Sequence, residues 1–233
     1  MRLFLFSLLA FVSTAQASSI PIKLGTEVVI IKIERKGKGK NFVHLHQSET
    51  TALKAARAVV AAKGGTILTL VHKGGRNIVF HLNKQRFEFD PNRIFSDIGI
   101  KKTLSQFGAY SPAAHKEVSK LAEKIKKVLP KGKIIAVHNN NEYSLKNYLP
   151  GHDMEHEAQE LNYLKNNYHR NFYLVTKEND FYRFKELAFN SVLQAKQATD
   201  DGSLSIYLAN RDYVNVEAGY DQLAAQIKML NYA

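Results

Sequence analysis

Short runs rich in β-branched and aromatic residues alternate along the chain with longer amphipathic runs of helical length, the pattern of an α/β sheet with helices packed on it. Strands are expected over residues 27–33 and 41–46, joined by the basic turn Arg35-Lys36-Gly37-Lys38-Gly39-Lys40, which is too polar to bury. Residues 48–63 are Ala-rich and helical, with Ser48 as the expected N-cap and Gly64-Gly65 as the stop. Strands follow at 66–71 and 77–82 about Gly74-Gly75, with a further short one at 86–89. A second helix over 113–129 ends at Pro130 and Gly132, and 133–138 returns as a strand. The next stretch of about thirty residues is polar without a clean period, and inside a compact domain such a stretch is usually functional or mobile. Residues 171–176 read as a strand, 180–196 as a helix, 204–208 and 213–216 as strands, and 222–230 as a closing helix. Neither an internal repeat nor a linker divides the pattern, so the expected class is α/β, with a mixed central β-sheet flanked by helices in one domain.

The first residues depart from this alternation. Arg2, an apolar run about ten residues long and the small-x-small site Ala15-Gln16-Ala17 have the three parts of a secretory signal. A spanning helix needs roughly 20 apolar residues, and no later run is long and apolar enough, so stable membrane insertion is not expected. Residues 1–17 are therefore expected to be a cleaved signal peptide and 18–233 the mature domain, periplasmic or secreted. The chain has no cysteine, which excludes disulfides, thiolate zinc sites and a cysteine nucleophile and leaves any metal to His and carboxylate ligands. The formal charge of +12 attracts anionic partners, and export makes nucleic acid an unexpected one.

Candidate chemistry falls where four apolar strand patterns stop abruptly at a polar residue, and carboxyl ends of strands are where α/β folds place their sites. In Phe42-Val43-His44-Leu45-His46-Gln47-Ser48-Glu49, the two histidines share one strand face, and Glu49 lies in the first turn of the next helix. His46 and Glu49 can converge on one ion, although the same pair also reads as a surface His beside a Glu that complements a helix dipole. The run Lys133-Ile134-Ile135-Ala136-Val137-His138 ends in a His followed by three asparagines. Two imidazoles and one carboxylate leave a zinc ion an open fourth position, as catalytic zinc sites do. In Phe87-Glu88-Phe89-Asp90-Pro91-Asn92-Arg93 the strand breaks at proline and exposes Asn-Arg, a fork suited to a carboxylate, or else a turn with local Asx bonds. Finally, Tyr213-Val214-Asn215-Val216-Glu217 delivers a lone carboxylate among small residues.

Taken together and in this order, His46 and Glu49, the segment from Asp90 to Arg93, His138 and Glu217 resemble the zinc carboxypeptidase family, the carboxypeptidase A-like metallopeptidases. The resemblance covers about residues 41–231, and its specificity lies in the conjunction of motifs. It implies a carboxypeptidase-like fold with Zn2+ held by His46, Glu49 and His138. Glu217 is implied as the catalytic carboxylate, Asn92 and Arg93 as the grip on a substrate's terminal carboxylate, and Arg76 as the carbonyl-polarising arginine, with Arg86 competing for that role. The implied activity is that of an exopeptidase on a peptide substrate, and periplasmic location would make peptidoglycan stem peptides a candidate. The spacing of 89 residues between Glu49 and His138 is shorter than the family's, which implies trimmed loops and a shallower cleft. The family's substrate-covering tyrosine has no motif here, Tyr182 and Tyr207 being candidates by position alone.

Remaining polar residues read more plainly. His152 and His156 offer a second metal pair or a solvated rim, and His44 could orient a ligand. His72, His81, His115 and His169 have no companions and read as structural. The lysines of 35–40 and 120–133 read as exposed faces, or as a hold on an anionic polymer. The same site could serve a zinc-dependent deacylase or amidase, and the fold could also persist as a non-catalytic periplasmic binding protein. Oligomeric state is not encoded in any of these patterns.

Overall fold

The structure, a computed structural model, describes residues 16–233. Its elements in chain order are β1 (Gln16–Leu24), β2 (Glu27–Lys36), β3 (Lys40–His44), α1 (Thr50–Lys63), β4 (Gly65–Val71), β5 (Ile78–Leu82), β6 (Gln85–Phe89), α2 (Asp97–Phe107), α3 (Pro112–Val128), β7 (Ile134–Asn140), β8 (Ala158–Asn162), β9 (Phe172–Val175), α4 (Glu178–Glu186), β10 (Ser191–Gln194), α5 (Leu204–Tyr207), β11 (Tyr213–Gly219) and α6 (Leu223–Tyr232). The fold is α/β, with a large mixed sheet flanked by helices. Nine strands run in the order β1-β2-β4-β3-β7-β11-β9-β10-β8, and β5 with β6 forms a separate antiparallel hairpin.

The centre of the sheet, β4-β3-β7-β11, is parallel, so the carboxyl ends of β3, β7 and β11 open on one side. Both faces are covered. One apolar core joins β1, β2, the β5–β6 hairpin, α2 and α3, while the other joins α1, α4 and α6 through residues such as Phe42, Tyr173, Phe184 and Leu230. β7 and β11 are buried along their whole length, which is why each is largely apolar apart from the polar residues His138, Asn139, Asn140, Asn215 and Glu217.

Helix α3 follows its sequence signals. Ser111 caps it by accepting from the Ala114 amide, Pro112 occupies the first turn, and Val118, Leu121, Ala122 and Ile125 form the buried stripe. Helix α1 packs Ala52, Ala55, Ala56, Val59 and Val60 on the sheet, small side chains that permit close approach. Its stop at Gly64 is obligatory: φ is +77°, and a Cβ there would meet the Lys38 carbonyl at 2.5 Å.

Several expectations need correction. The strands expected at 27–33 and 41–46 are present as β2 and β3, the second ending at His44, and β4 lies between them in the sheet. Likewise Gly74-Gly75 links the main sheet to the hairpin instead of joining paired strands. β1 was not expected; it lies at the sheet edge, where Pro21 is tolerated. α2 also lacks a clear apolar stripe, since its buried face is Gly99, Ile100, Thr103 and Leu104. The helix expected over 180–196 stops at Glu186, turns through Ala188 at φ +56°, and continues as β10. A buried four-residue strand has no period that separates it from a helix. Residues 204–208 form a helical turn and not a strand, with Ser203 accepting from the Ile206 amide. The polar stretch after β7 holds two 3-10 turns, Leu145–Tyr148 and Glu155–Glu157, and β8. Except for Gln16 and Ala17, the expected signal segment lies outside the described residues. No helix among the described residues is long and apolar enough to cross a membrane.

Candidate metal centre

The chain leaves β3 at His44, turns through His46, and places Glu49 at the N-cap position of α1. Ser48 is not the cap, and Glu49 makes no side-chain cap bond, because its carboxylate is engaged by two imidazoles. His46 Nδ1 lies 2.9 Å from Glu49 Oε1, His138 Nδ1 2.9 Å from Glu49 Oε2, and the two Nδ1 atoms 3.1 Å apart. All three residues are buried, and they are the group among the described residues that could hold a metal ion. Tetrahedral zinc with bonds of about 2.0–2.1 Å places its ligand atoms roughly 3.3 Å apart, so the donor triangle needs only a slight expansion to accept an ion.

The surroundings suit that role. His46 Nε2 lies 2.7 Å from Asp90 Oδ1. A proton donated there leaves the Nδ1 lone pair facing the other ligands, the arrangement by which a carboxylate orients a metal-binding imidazole. Burial pushes the His46 imidazole down, but the carboxylates of Glu49 and Asp90 outweigh it and push it up to about 9. Burial likewise opposes ionisation of Glu49 and Asp90, yet the neighbouring imidazoles hold both below the usual carboxylate range, with Arg76 and Arg93 contributing at Asp90. A buried site that stabilises a positive charge between carboxylates is primed for a cation. His44 Nε2 donates to the Glu49 carbonyl at 3.0 Å, and burial pushes this imidazole down to about 4. Neutral His44 therefore fixes the backbone of one ligand.

Each residue singled out in the sequence can be placed. Glu49, Arg76, Asn92, Arg93, His138 and Glu217 line one cleft of about 500 Å³. Glu217 stands in register with His138 on adjacent parallel strands. Its two oxygens accept from Asn215 Nδ2 and Asn140 Nδ2, each at 3.0 Å. Arg76, half exposed, reaches Glu49 Oε1 at 3.4 Å and Asp90 Oδ2 at 3.5 Å. Arg86 instead pairs with Glu88 and does not line the cleft, so Arg76 is the better placed of the two. Arg93 Nη1 donates to the Asn92 carbonyl at 2.9 Å, and its Nε lies 3.5 Å from Asp201. Asn92 Oδ1 accepts from the Leu204 amide at 3.0 Å, which ties this residue to the segment before β11.

Other candidates are not brought to the centre. Tyr182 pairs with Glu160, Tyr207 stacks on Phe95, and neither lines the cleft. The tyrosines that do are Tyr143, Tyr148, Tyr213 and Tyr220, with the hydroxyls of Tyr143 and Tyr148 hydrogen-bonded to each other. His152 and His156 belong to no group of three or more ligand side chains close enough to hold a metal among the described residues. Sequence reasoning missed the part played by Asp90, although the residue stood in the quoted motif, and missed the amide pair Asn140 and Asn215. Their alternation with His138 and Glu217 along β7 and β11 was the available signal. No family model matches the chain, and no curated protein matches it either.

Proposed function

We propose that the chain is an exported zinc-dependent metallopeptidase of the carboxypeptidase type, hydrolysing C-terminal peptide bonds, with cell-wall stem peptides as the substrate class. What supports this most is that the buried His46, Glu49 and His138 donor triangle, with Asp90 behind His46, meets a cleft that Glu49 and His138 line together with a second carboxylate at Glu217 and a guanidinium at Arg93. Two imidazoles and a carboxylate without sulfur suit zinc that keeps a free position. The chemistry a bound zinc supplies is Lewis acidity, which polarises a carbonyl and acidifies water.

The remaining work belongs to the chain. Arg93 binds the substrate's terminal carboxylate by charge-assisted hydrogen bonds and so selects the last peptide bond. Glu217, held by Asn140 and Asn215, takes the proton of the attacking water and delivers it to the departing amine. Arg76, at the mouth beside Glu49, offers donors to the oxygen on which charge develops. Asp201 near Arg93 supports a second reading, an amidase or deacylase on uncharged substrates, because it partly neutralises the grip.

The test is one peptide, free and C-terminally amidated, incubated with zinc-loaded protein. The carboxypeptidase reading expects the free peptide alone to be trimmed from its C-terminus. Equal cleavage of both peptides favours the amidase reading.

A further inference from the structure

The cleft opens at the carboxyl ends of the parallel strands, and the opposite end of the sheet has a very different surface. The turn from β2 to β3, the end of α1 and the segments entering β7 and β11 meet there. Their contact is direct: Lys36 Nζ donates to the Ala61 carbonyl, Asn41 Nδ2 to the carbonyls of Lys131 and Lys133, and Arg211 Nη2 to the carbonyl of Pro130. These turns carry lysines at a density that no acid balances. Glu34 is committed to Lys32 and Arg57, and Asp180 to Lys133 and Arg183, which leaves Glu178 and Asp212 as exposed acids of this end, fewer than its lysines. Lys38, Lys63 and Lys131 are exposed and have no ion-pair partner among the described residues.

One cation is built into the structure beneath them. Lys40 Nζ donates to the carbonyls of Leu230 at 2.9 Å and Asn231 at 2.7 Å, at the end of α6. Burial, and after it the nearby cations Lys63, Arg183 and Lys133, pull this ammonium down to about 8. The next residue, Tyr232, is 43% exposed, with its ring against Phe189. A tyrosine with an apolar body and a wet hydroxyl beside a field of lysines has the composition of an interfacial anchor.

We infer that the lysine-rich end of the sheet, from Lys36 and Lys38 through Lys63 to Lys131 with Tyr232 beside them, docks on an anionic phospholipid surface and leaves the cleft facing away from it. Charge complementarity carries the choice of a polyanion, and the exposed ring of Tyr232, packed on Phe189 and not on a neighbouring exposed ring, favours headgroups over nucleic acid. Binding along a single strand would call for a groove with successive stacking rings. This inference does not depend on the peptidase reading, because it uses none of the cleft residues.

The experiment is co-sedimentation of the full mature chain with phosphatidylglycerol-containing vesicles and with pure phosphatidylcholine vesicles, at low and at raised salt. Wild type is expected to bind only the anionic vesicles and to be released by salt. The triple variant Lys38→Glu, Lys63→Glu, Lys131→Glu is expected to bind about tenfold more weakly or worse. All three positions are exposed, and an unchanged circular dichroism spectrum and Tm confirm that the variant is folded. Tyr232→Ala is expected to weaken binding without changing its salt dependence. Equal binding to neutral vesicles, no binding to either kind, or a triple variant that binds like wild type would overturn the inference. Tighter binding to a duplex oligonucleotide than to the vesicles would overturn it in favour of nucleic acid.

Discussion

Glu217 stands beside His138 in the register of β11 on β7, so a carboxylate outside the donor triangle rises from the same face and the same strand end as one of its imidazoles. The parallel pairing of two buried strands therefore sets the candidate base beside one of the three donors, while the turn from β3 to α1 brings the other two.

From this pairing follows a separation of binding from chemistry. Glu217→Gln keeps the shape and one acceptor oxygen but cannot shuttle a proton. It is expected to retain metal and peptide affinity while turnover falls by roughly 10²–10⁴. Single-turnover kinetics and metal analysis on the same preparation check it. Unchanged turnover removes Glu217 from the mechanism.

Asp90 is expected to matter to the metal more than to the substrate. Its 2.7 Å contact with His46 Nε2 sets the tautomer that points Nδ1 at the ion. Asp90→Asn should weaken metal affinity by about 10–100-fold. Competition against a chelator of known affinity measures this, and an unaltered affinity would show that His46 needs no orienting partner.

The metal-free protein should have an unusual pH dependence. His46 is raised from 6.5 to about 9 in the folded chain, so its contribution to stability is fully present below about pH 6.5 and is lost as pH rises through 9. Chelator-treated protein is expected to show a falling Tm between pH 6.5 and 9. Zinc-loaded protein should not, because the ion replaces the proton. Over the same range metal affinity should rise with pH as the competing proton is lost. A flat Tm for the chelated protein contradicts the coupling.

Arg93→Ala should act on substrates and not on the metal. Cleavage of peptides with a free C-terminus is expected to drop mainly through KM, while any cleavage of amidated peptides stays unchanged. A loss confined to kcat would move Arg93 from gripping the carboxylate to stabilising charge in the transition state.

Elements whose local and global signals agree were legible in the sequence. α3 has a Ser cap, a proline in its first turn and a strict apolar stripe, while β7 has an unbroken apolar run ending in His138 and β11 one interrupted only by Asn215 before Glu217. The grouping of His46, Glu49 and His138 was legible because β3 and β7 are parallel neighbours, so the residues that follow or end them come out on one side of the sheet. What stayed hidden depended on partners distant in sequence. Nothing in residues 27–46 says that β4 inserts between β2 and β3, and the choice of strand for Ser191–Gln194 is made by pairing with β8 and β9. Asp90 was visible as a residue but not as a buttress, since its role depends on His46, 44 residues away.

The central claim is that His46, Glu49 and His138 form one zinc site. Its most direct test is the metal content of purified protein, dialysed with zinc and then freed of excess, for wild type beside the triple variant His46→Ala, Glu49→Ala, His138→Ala. The account predicts one zinc per chain in wild type and none in a folded triple variant. One zinc per chain in the variant, or none in wild type, would contradict it.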